Sequence, residues 1–195
     1  MRIKYYLAFL LFVLSACAKQ VTLPTDHYYR LPELAGVAEG QKFFHLISVI
    51  NFQADGLRRE RAIVYTKDGI EFNQYHYHNW VDTPSRLLTE RLAERLRLSN
   101  FAAIVQTTYR GESELIIKGQ IKSFERILDE KNDKVRVKIM LQVNSQDRNL
   151  PVLFEEYSEL VDADSHAISD SIIAFGKAVD LIFERFQKDL IDKLQ

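Results

Sequence analysis

The most regular pattern of apolar and polar residues in the chain lies between residues 135 and 144. Aliphatic residues occupy every second position from 135 to 143, and the residues between them are mostly charged or polar. A period of two residues is that of a β-strand with one buried and one exposed face. Segments 114–124 and 152–160 lie on either side, and polar turns separate the three segments. The pattern therefore predicts three consecutive strands in an antiparallel meander.

Shorter apolar segments in the first half of the chain predict further strands. They cover residues 28–31, 43–52, 61–66 and 70–81, and a last short one covers 102–105. Segment 43–52 is apolar at odd and even positions alike, which favours a central strand buried on both faces. Segment 28–31 is closed by a proline, which favours an edge strand.

Two segments have helical spacing instead. The first begins at Thr83, which can cap a helix, and at Pro84, which fits the first helical position; it ends near Asn100. The second begins at Ser165 or Ser169 and carries an apolar stripe that we interpret as a core face rather than a partner-binding face. The stripe consists of Ile168, Ile172, Phe175, Val179, Ile182, Phe183, Phe186, Leu190 and Leu194. The order of elements predicts an α+β fold, with a single mixed, largely antiparallel sheet and two main helices packed on one face.

The amino-acid composition indicates the class of protein but gives no information about its activity. A chain of 195 residues with 47% hydrophobic and 27% charged residues is typical of one globular domain. The formal net charge of -1 provides no basic field, and the aromatic residues are not interleaved with a basic patch, so we expect no nucleic-acid partner. The single cysteine excludes an internal disulfide framework and a thiolate zinc cluster.

The N-terminal residues have the pattern of a lipoprotein signal peptide. Arg2 and Lys4 precede an apolar segment, 5–14, that is too short to span a bilayer as a helix. The segment Leu14-Ser15-Ala16-Cys17 follows and resembles the bacterial lipobox, in which the cysteine receives lipid and becomes the new N-terminus. We therefore predict a cleaved signal peptide over 1–16, lipid attachment at Cys17, and a polar tether over 17–27 ahead of a domain at 28–195. The alternative is an ordinary signal peptide followed by a chance cysteine.

The residue after the cysteine points to the destination of the anchor. It is Ala18, not the aspartate that resembles an inner-membrane retention signal in enteric bacteria. We therefore expect an outer-membrane lipoprotein that faces the periplasm of a Gram-negative bacterium.

Motifs of catalysis are not found in the sequence. It contains no phosphate-binding loop, dinucleotide fingerprint, His-Glu-x-x-His or Gly-x-Ser-x-Gly. We therefore expect that the protein is not an enzyme and that it has no catalytic residue and no cofactor. His76 and His78 would share a face of a strand and could hold a metal, but two imidazoles are too few for a structural site. We interpret them as part of a half-exposed aromatic face and predict no metal.

The order of several motifs resembles that of the ABC-type transport auxiliary lipoproteins, the PqiC-like partners of transporters with MCE (mammalian cell entry) domains. After the lipobox comes a tyrosine-rich segment ending in Leu-Pro, 28–32. Segments 61–65 (Arg-Ala-Ile-Val-Tyr) and 75–80 (Tyr-His-Tyr-His-Asn-Trp) follow, and then a helix that starts with Thr-Pro, 83–92. The resemblance covers most of 17–195 and rests on the order of these motifs.

The resemblance implies a non-catalytic subunit of a lipid-transport system that spans the envelope. Its partner would be the periplasmic MCE-domain protein of an ABC transporter, and related proteins suggest a homo-oligomeric ring. We take Tyr75, Tyr77 and Trp80 as candidate partner contacts, since exposed aromatic residues favour interfaces, although packing of the sheet against a helix would equally use them. Two alternatives remain: a stand-alone binder of lipid or peptidoglycan, and a pilotin-like or β-barrel-assembly lipoprotein.

Overall fold

A computed structural model of the protein describes residues 24–109 and 111–194. Cys17, the predicted signal peptide and the first part of the predicted tether lie outside the described residues. The described part contains a nine-stranded sheet and two α-helices. The strands are β1 (His27–Tyr29), β2 (Phe44–Val49), β3 (Gln53–Ala54), β4 (Ala62–Thr66), β5 (Phe72–Trp80), β6 (Ala102–Gln106), β7 (Leu115–Ile127), β8 (Lys134–Ser145) and β9 (Leu153–Asp162). The helices are α1 (Pro84–Leu98) and α2 (Ile168–Leu194), and a 3-10 helix covers Gly56–Arg59.

Strand β7 organises the sheet because it is long enough to pair with several strands. One of its edges pairs with β8 along its length, and β8 pairs in turn with β9, so these three strands form the predicted antiparallel meander. Its other edge pairs in parallel with β2, β3 and β4 one after another. Beyond β4 the sheet continues through antiparallel β5 to parallel β1, which is an edge strand as predicted.

Both helices pack on one face of the sheet, and the α+β prediction is confirmed. In β8 the aliphatic residues at 135, 137, 139, 141 and 143 are all fully buried beneath α2 and its neighbours. The apolar stripe of α2 is the core face, with Phe175, Phe183 and Phe186 completely inaccessible to solvent. The two helices are joined by a salt bridge in which Arg91 donates to both oxygens of Asp180 at 2.7 and 2.8 Å.

The predicted helix starts are right in position but differ in detail. Thr83 is the residue that precedes α1 and Pro84 is its first residue, yet the Thr83 side chain makes no capping hydrogen bond. Instead, Asp82 Oδ1 accepts a hydrogen bond from the Thr83 backbone N–H at 2.8 Å. Helix α2 begins at Ile168, between the two predicted serines. Neither this helix nor any other among the described residues is long and apolar enough to cross a membrane.

Gly119 on β7 is required by the packing of the core. A Cβ atom at this position would lie 2.6 Å from three ring atoms of Phe52, which is buried and packs edge-on against Phe183 with ring centres 6.2 Å apart. The absence of a side chain at 119 therefore creates the space that the Phe52 ring fills.

Gly119→Ala is expected to lower the stability of the domain. Overpacking a core typically costs about 1–3 kcal/mol, and the gain from replacing a flexible glycine in a strand offsets only about 0.5–1 kcal/mol of this. The measurement is thermal unfolding followed by circular dichroism. The control is the double variant with Phe52→Leu, which removes the clashing ring atoms, so the two changes together should cost less than the sum of their separate effects. An alanine variant as stable as the parent would contradict this packing.

Candidate functional site

The three candidate contact residues lie on β5, whose path is irregular. Val64 of β4 pairs with Gln74, and Ala62 pairs with Asn79, so β5 uses three more residues than β4 over the same stretch. Such a bulge changes which side chains face the core. Under strict alternation Tyr75 and Trp80 would lie on opposite faces, since they are five residues apart. The bulge allows both of them to pack against the core on the helix-covered side.

Trp80 is a core residue, and the prediction that it is an exposed partner contact is wrong. Its side chain is 1% exposed. The indole ring packs against Phe124 of β7 and edge-on against Phe175 of α2, with ring centres 5.2 Å away in each case. The alternative interpretation, packing of the sheet against a helix, is therefore correct for this residue.

Tyr75 is half-buried and belongs to a polar network around Arg126. The Arg126 guanidinium donates to the Tyr75 hydroxyl at 2.7 Å, to a carboxylate oxygen of Asp133 and to the backbone carbonyl of His166. Burial raises the pKa of the Tyr75 hydroxyl, and the positive charge of Arg126 opposes that shift only in part. The hydroxyl therefore stays protonated at neutral pH, and its contacts tie β5 to the start of α2.

This network was not predicted from the sequence. Asp133 lies in the predicted polar turn between segments 114–124 and 135–144, and a charged turn residue is ordinarily solvated. In the structure Asp133 and Arg126 are both buried. The Asp129 backbone N–H and the His166 ring also contact Asp133, at 3.1 and 3.2 Å. By the alternation of the predicted strand 114–124, Arg126 would lie on the face opposite Leu115 and Ile121. A register shift between Ile121 and Ser123 interrupts that alternation, and Arg126 is buried.

A second cluster joins β1 to β5 at the sheet edge. The rings of His27 and His78 stack with centres 5.0 Å apart, and the Tyr29 hydroxyl lies 2.9 Å from His78 Nδ1. Burial, followed by the neighbouring His27 and Arg126, lowers the pKa of His78. The imidazole is therefore neutral at neutral pH, and Nδ1 shares a hydrogen bond with the tyrosine hydroxyl in which the tautomer decides the donor. These contacts hold the three-residue strand β1 against β5.

Tyr77 is the exposed member of the three candidate residues. Its side chain is 45% exposed, and its ring centre lies 6.3 Å from that of the exposed His76. On the neighbouring strand Tyr28 is 52% exposed, and the guanidinium carbon of Arg61 lies 5.6 Å from the centre of its ring. We call these four residues, Tyr28, Arg61, His76 and Tyr77, the tether-side patch, because β1 directly follows the tether.

Among the residues that the structure describes, no three His, Cys, Asp or Glu side chains come together as a metal site.

A groove of about 510 Å³ lies on the sheet face away from the helices. Its lining includes Lys118, Gln120, Lys122, Met140 and Phe154, so the wall combines charged, polar and apolar groups.

Comparison with known proteins identifies the fold. No family model and no curated protein matches the chain in sequence. Among solved structures, protein XCC0632 from Xanthomonas campestris, described as DUF330, is similar with a TM-score of 0.68 and 14% identity, over 87% of this chain and 95% of that one. A structure described only as an uncharacterized protein has a TM-score of 0.69 and 12% identity, over 86% and 99% of the two chains. The chain thus has the α+β fold seen in a DUF330 protein, and at these identities the likeness concerns the fold alone.

Proposed function

We propose that this protein is a lipoprotein of the outer membrane that faces the periplasm and serves as a non-catalytic auxiliary subunit of an MCE-type ABC lipid-transport system. One observation carries the proposal: the lipobox-like segment Leu14-Ser15-Ala16-Cys17 stands ten residues ahead of a domain with the DUF330 fold. A predicted signal peptide that ends directly before the only cysteine of the chain supports lipid attachment at that residue.

The motifs that resemble the transport auxiliary lipoproteins support the second half of the proposal. These motifs lie on neighbouring elements of the domain. The tyrosine-rich segment is on β1, the aromatic segment is on β5, which pairs with β1, and the Thr-Pro segment is at the start of α1. Backbone hydrogen bonds link these parts, since Trp80 N–H donates to Arg61 O and Val81 N–H donates to Tyr29 O. The resemblance therefore concerns a connected unit of structure.

The position of the tether supports an arrangement in the envelope. Strand β1 begins at His27, at the edge of the sheet, so the anchor would reach the domain at the β1–β5 edge. A partner that approaches from the periplasm would meet the remaining surface. Of the predicted contact residues, Tyr77 is available at the surface, and its role in binding an MCE-domain protein stays a prediction.

The test of the transporter role is native mass spectrometry of the lipidated protein, extracted from its own host in mild detergent. We expect co-purification with an MCE-domain protein in a fixed ratio, which would also report whether the chain forms a ring. Recovery of the chain alone, under conditions that keep other envelope complexes together, would contradict the transporter role. Recovery with a different assembly partner would favour the pilotin-like alternative.

Cys17→Ser is expected to remove the acyl chains from the protein, and with them the anchor that they provide. Two or three acyl chains hold a protein firmly at a bilayer, whereas a protein without them has no such anchor. The measurement is fractionation with intact-mass analysis, in which the parent chain should sediment with membranes and carry the mass of its acyl chains. Thr22→Ser, in the tether but outside the motif, is the control and should behave as the parent does. A serine variant that remains with the membrane would show that another feature anchors the chain.

The groove on the open sheet face favours a second candidate function, a stand-alone lipid binder. Its volume of about 510 Å³ lies within the range of ligand sites, and two lysines could meet an anionic headgroup. The charged and polar groups in its wall are the argument against it, because a lipid chain needs an apolar wall. Phospholipid retained by the isolated protein in native mass spectra, and lost on Phe154→Ser, would favour this function over the transporter role.

A further inference from the structure

The tether-side patch has an unusual combination of composition and position. Tyr28 and Tyr77 expose about half of their side chains, and Arg61 and His76 beside them are also exposed. Tyr28 is paired in register with Asn79, which lies two residues beyond Tyr77 on β5, so both tyrosines lie along the same edge of the sheet, and Tyr28 points to the side opposite its neighbour His27. The opposite side of this edge is occupied by the stacked His27 and His78 rings.

We infer that the tether-side patch rests on the lipid headgroups of the membrane that holds the anchor. The inference depends on the proposed lipid attachment at Cys17. It goes beyond that proposal by assigning a surface of the folded domain to contact with the bilayer, and by fixing which edge of the domain faces the membrane.

The length of the tether carries the argument. His27, the first residue of β1, stands ten positions after Cys17. A segment of this length can span at most about 35 Å. Tyr28 follows directly after His27. The tether therefore limits the distance between the patch and the lipid anchor to about 40 Å at most, which raises the effective concentration of the patch at the bilayer surface.

The chemistry of the patch fits a lipid headgroup layer. Tyrosine has an apolar ring and a polar hydroxyl, and it is enriched where proteins meet the membrane–water interface. Arg61 holds its guanidinium over the Tyr28 ring, at a position from which it can also pair with lipid phosphate. Because the tether already supplies the proximity, even a weak contact of this kind would be populated.

Contact with the membrane and contact with a protein partner exclude each other at this patch. While the patch rests on the headgroups, a periplasmic protein cannot reach Tyr77. We therefore assign Tyr77 to the membrane, and its use by a protein partner becomes an outcome of the test.

The test measures how close the patch comes to the bilayer in the full, lipidated chain. Because lipid occupies Cys17, a cysteine introduced by His76→Cys is the only free thiol and can carry a fluorescent label. Tyr109→Cys is the matched control, because Tyr109 is 50% exposed and follows β6, far from β1 in the order of strands. The proteins are placed in vesicles of phosphatidylethanolamine and phosphatidylglycerol that contain a lipid with a spin label on its headgroup.

We expect the headgroup label to quench fluorescence at position 76 and to leave position 109 unchanged. Adding Tyr28→Ala and Tyr77→Ala to the His76→Cys chain should restore its fluorescence, while thermal unfolding confirms that the domain remains folded. Equal quenching at both positions, or none at 76, would overturn the inference. So would unchanged quenching in the double alanine variant together with weaker capture of an MCE-domain protein, which would assign the patch to the protein partner. Failure of the parent chain to float with the vesicles would instead refute the lipid anchor, and with it the inference.

Discussion

Replacing Trp80 by alanine is expected to destabilise the domain by about 3–5 kcal/mol, the usual cost of truncating a fully buried large aromatic residue. The side chain lies between Phe124 of β7 and Phe175 of α2, so its loss leaves a cavity where the sheet meets the helix. For a domain of this size the loss corresponds to a fall in Tm of roughly 6–20 °C. Thermal or urea unfolding followed by circular dichroism measures it.

Tyr77→Ala is the matched control, because Tyr77 lies on the same strand three residues earlier and is exposed. A substitution at such a position usually changes stability by less than about 0.5 kcal/mol. Trp80→Phe should fall between the two, because it keeps an aromatic ring between the neighbouring phenylalanines. A stable Trp80→Ala variant that loses a protein partner would contradict the core assignment and restore the earlier prediction of a contact residue.

The strands and helices with strong periodicity were predictable from the sequence, for a physical reason. In β8 and α2 one face is buried along the whole element, so the spacing of the apolar residues predicts which face is buried. The meander of β7, β8 and β9 followed from that alternation and from the polar turns. The parallel pairing of β7 with β2, β3 and β4 did not, because it joins segments distant in sequence and leaves no local signal.

The site was predicted less well because its geometry depends on a bulge. A bulge inserts residues without changing composition, so the sequence of β5 reads as an ordinary aromatic strand. Tyr75, Tyr77 and Trp80 look equivalent in that sequence. The structure separates them into a residue held by Arg126, an exposed residue and a core residue. Gly119 was also overlooked, because its role is visible only once Phe52 is placed opposite it.

Replacing Asp133 by asparagine is expected to destabilise the domain by about 3–5 kcal/mol at neutral pH, because it leaves the Arg126 charge buried without its counter-charge. The side chains of Arg126 and Asp133 are 4% and 2% exposed, so water cannot compensate for the loss. Asparagine has nearly the same shape as aspartate and retains one acceptor oxygen. The effect therefore reports the missing charge rather than a cavity.

The cost of this substitution should depend on pH. Burial alone would raise the pKa of Asp133, but hydrogen bonds from the Asp129 backbone and His166, together with the Arg126 charge, hold it below the usual value of 3.8. A carboxyl group with a lowered pKa in the folded state stabilises the fold above its unfolded pKa. That stabilisation is lost as the pH falls through the folded pKa. The difference in unfolding free energy between parent and variant should therefore be full at pH 7 and shrink at a pH below about 4.

Urea unfolding from neutral pH to about pH 3 tests this expectation, with Asp147→Asn as the control. Asp147 lies in an exposed turn, so its variant should follow the parent at every pH.

The cause of the loss can be tested further by adding Arg126→Met to the Asp133→Asn variant. If the cost comes from an unpaired buried charge, removing that charge should recover part of the stability, although Tyr75 and the His166 carbonyl then lose a donor. A difference between parent and Asp133→Asn that stays constant with pH would mean that the carboxylate charge contributes nothing. No recovery on Arg126→Met would mean that the guanidinium is needed for its hydrogen bonds to β5 and α2.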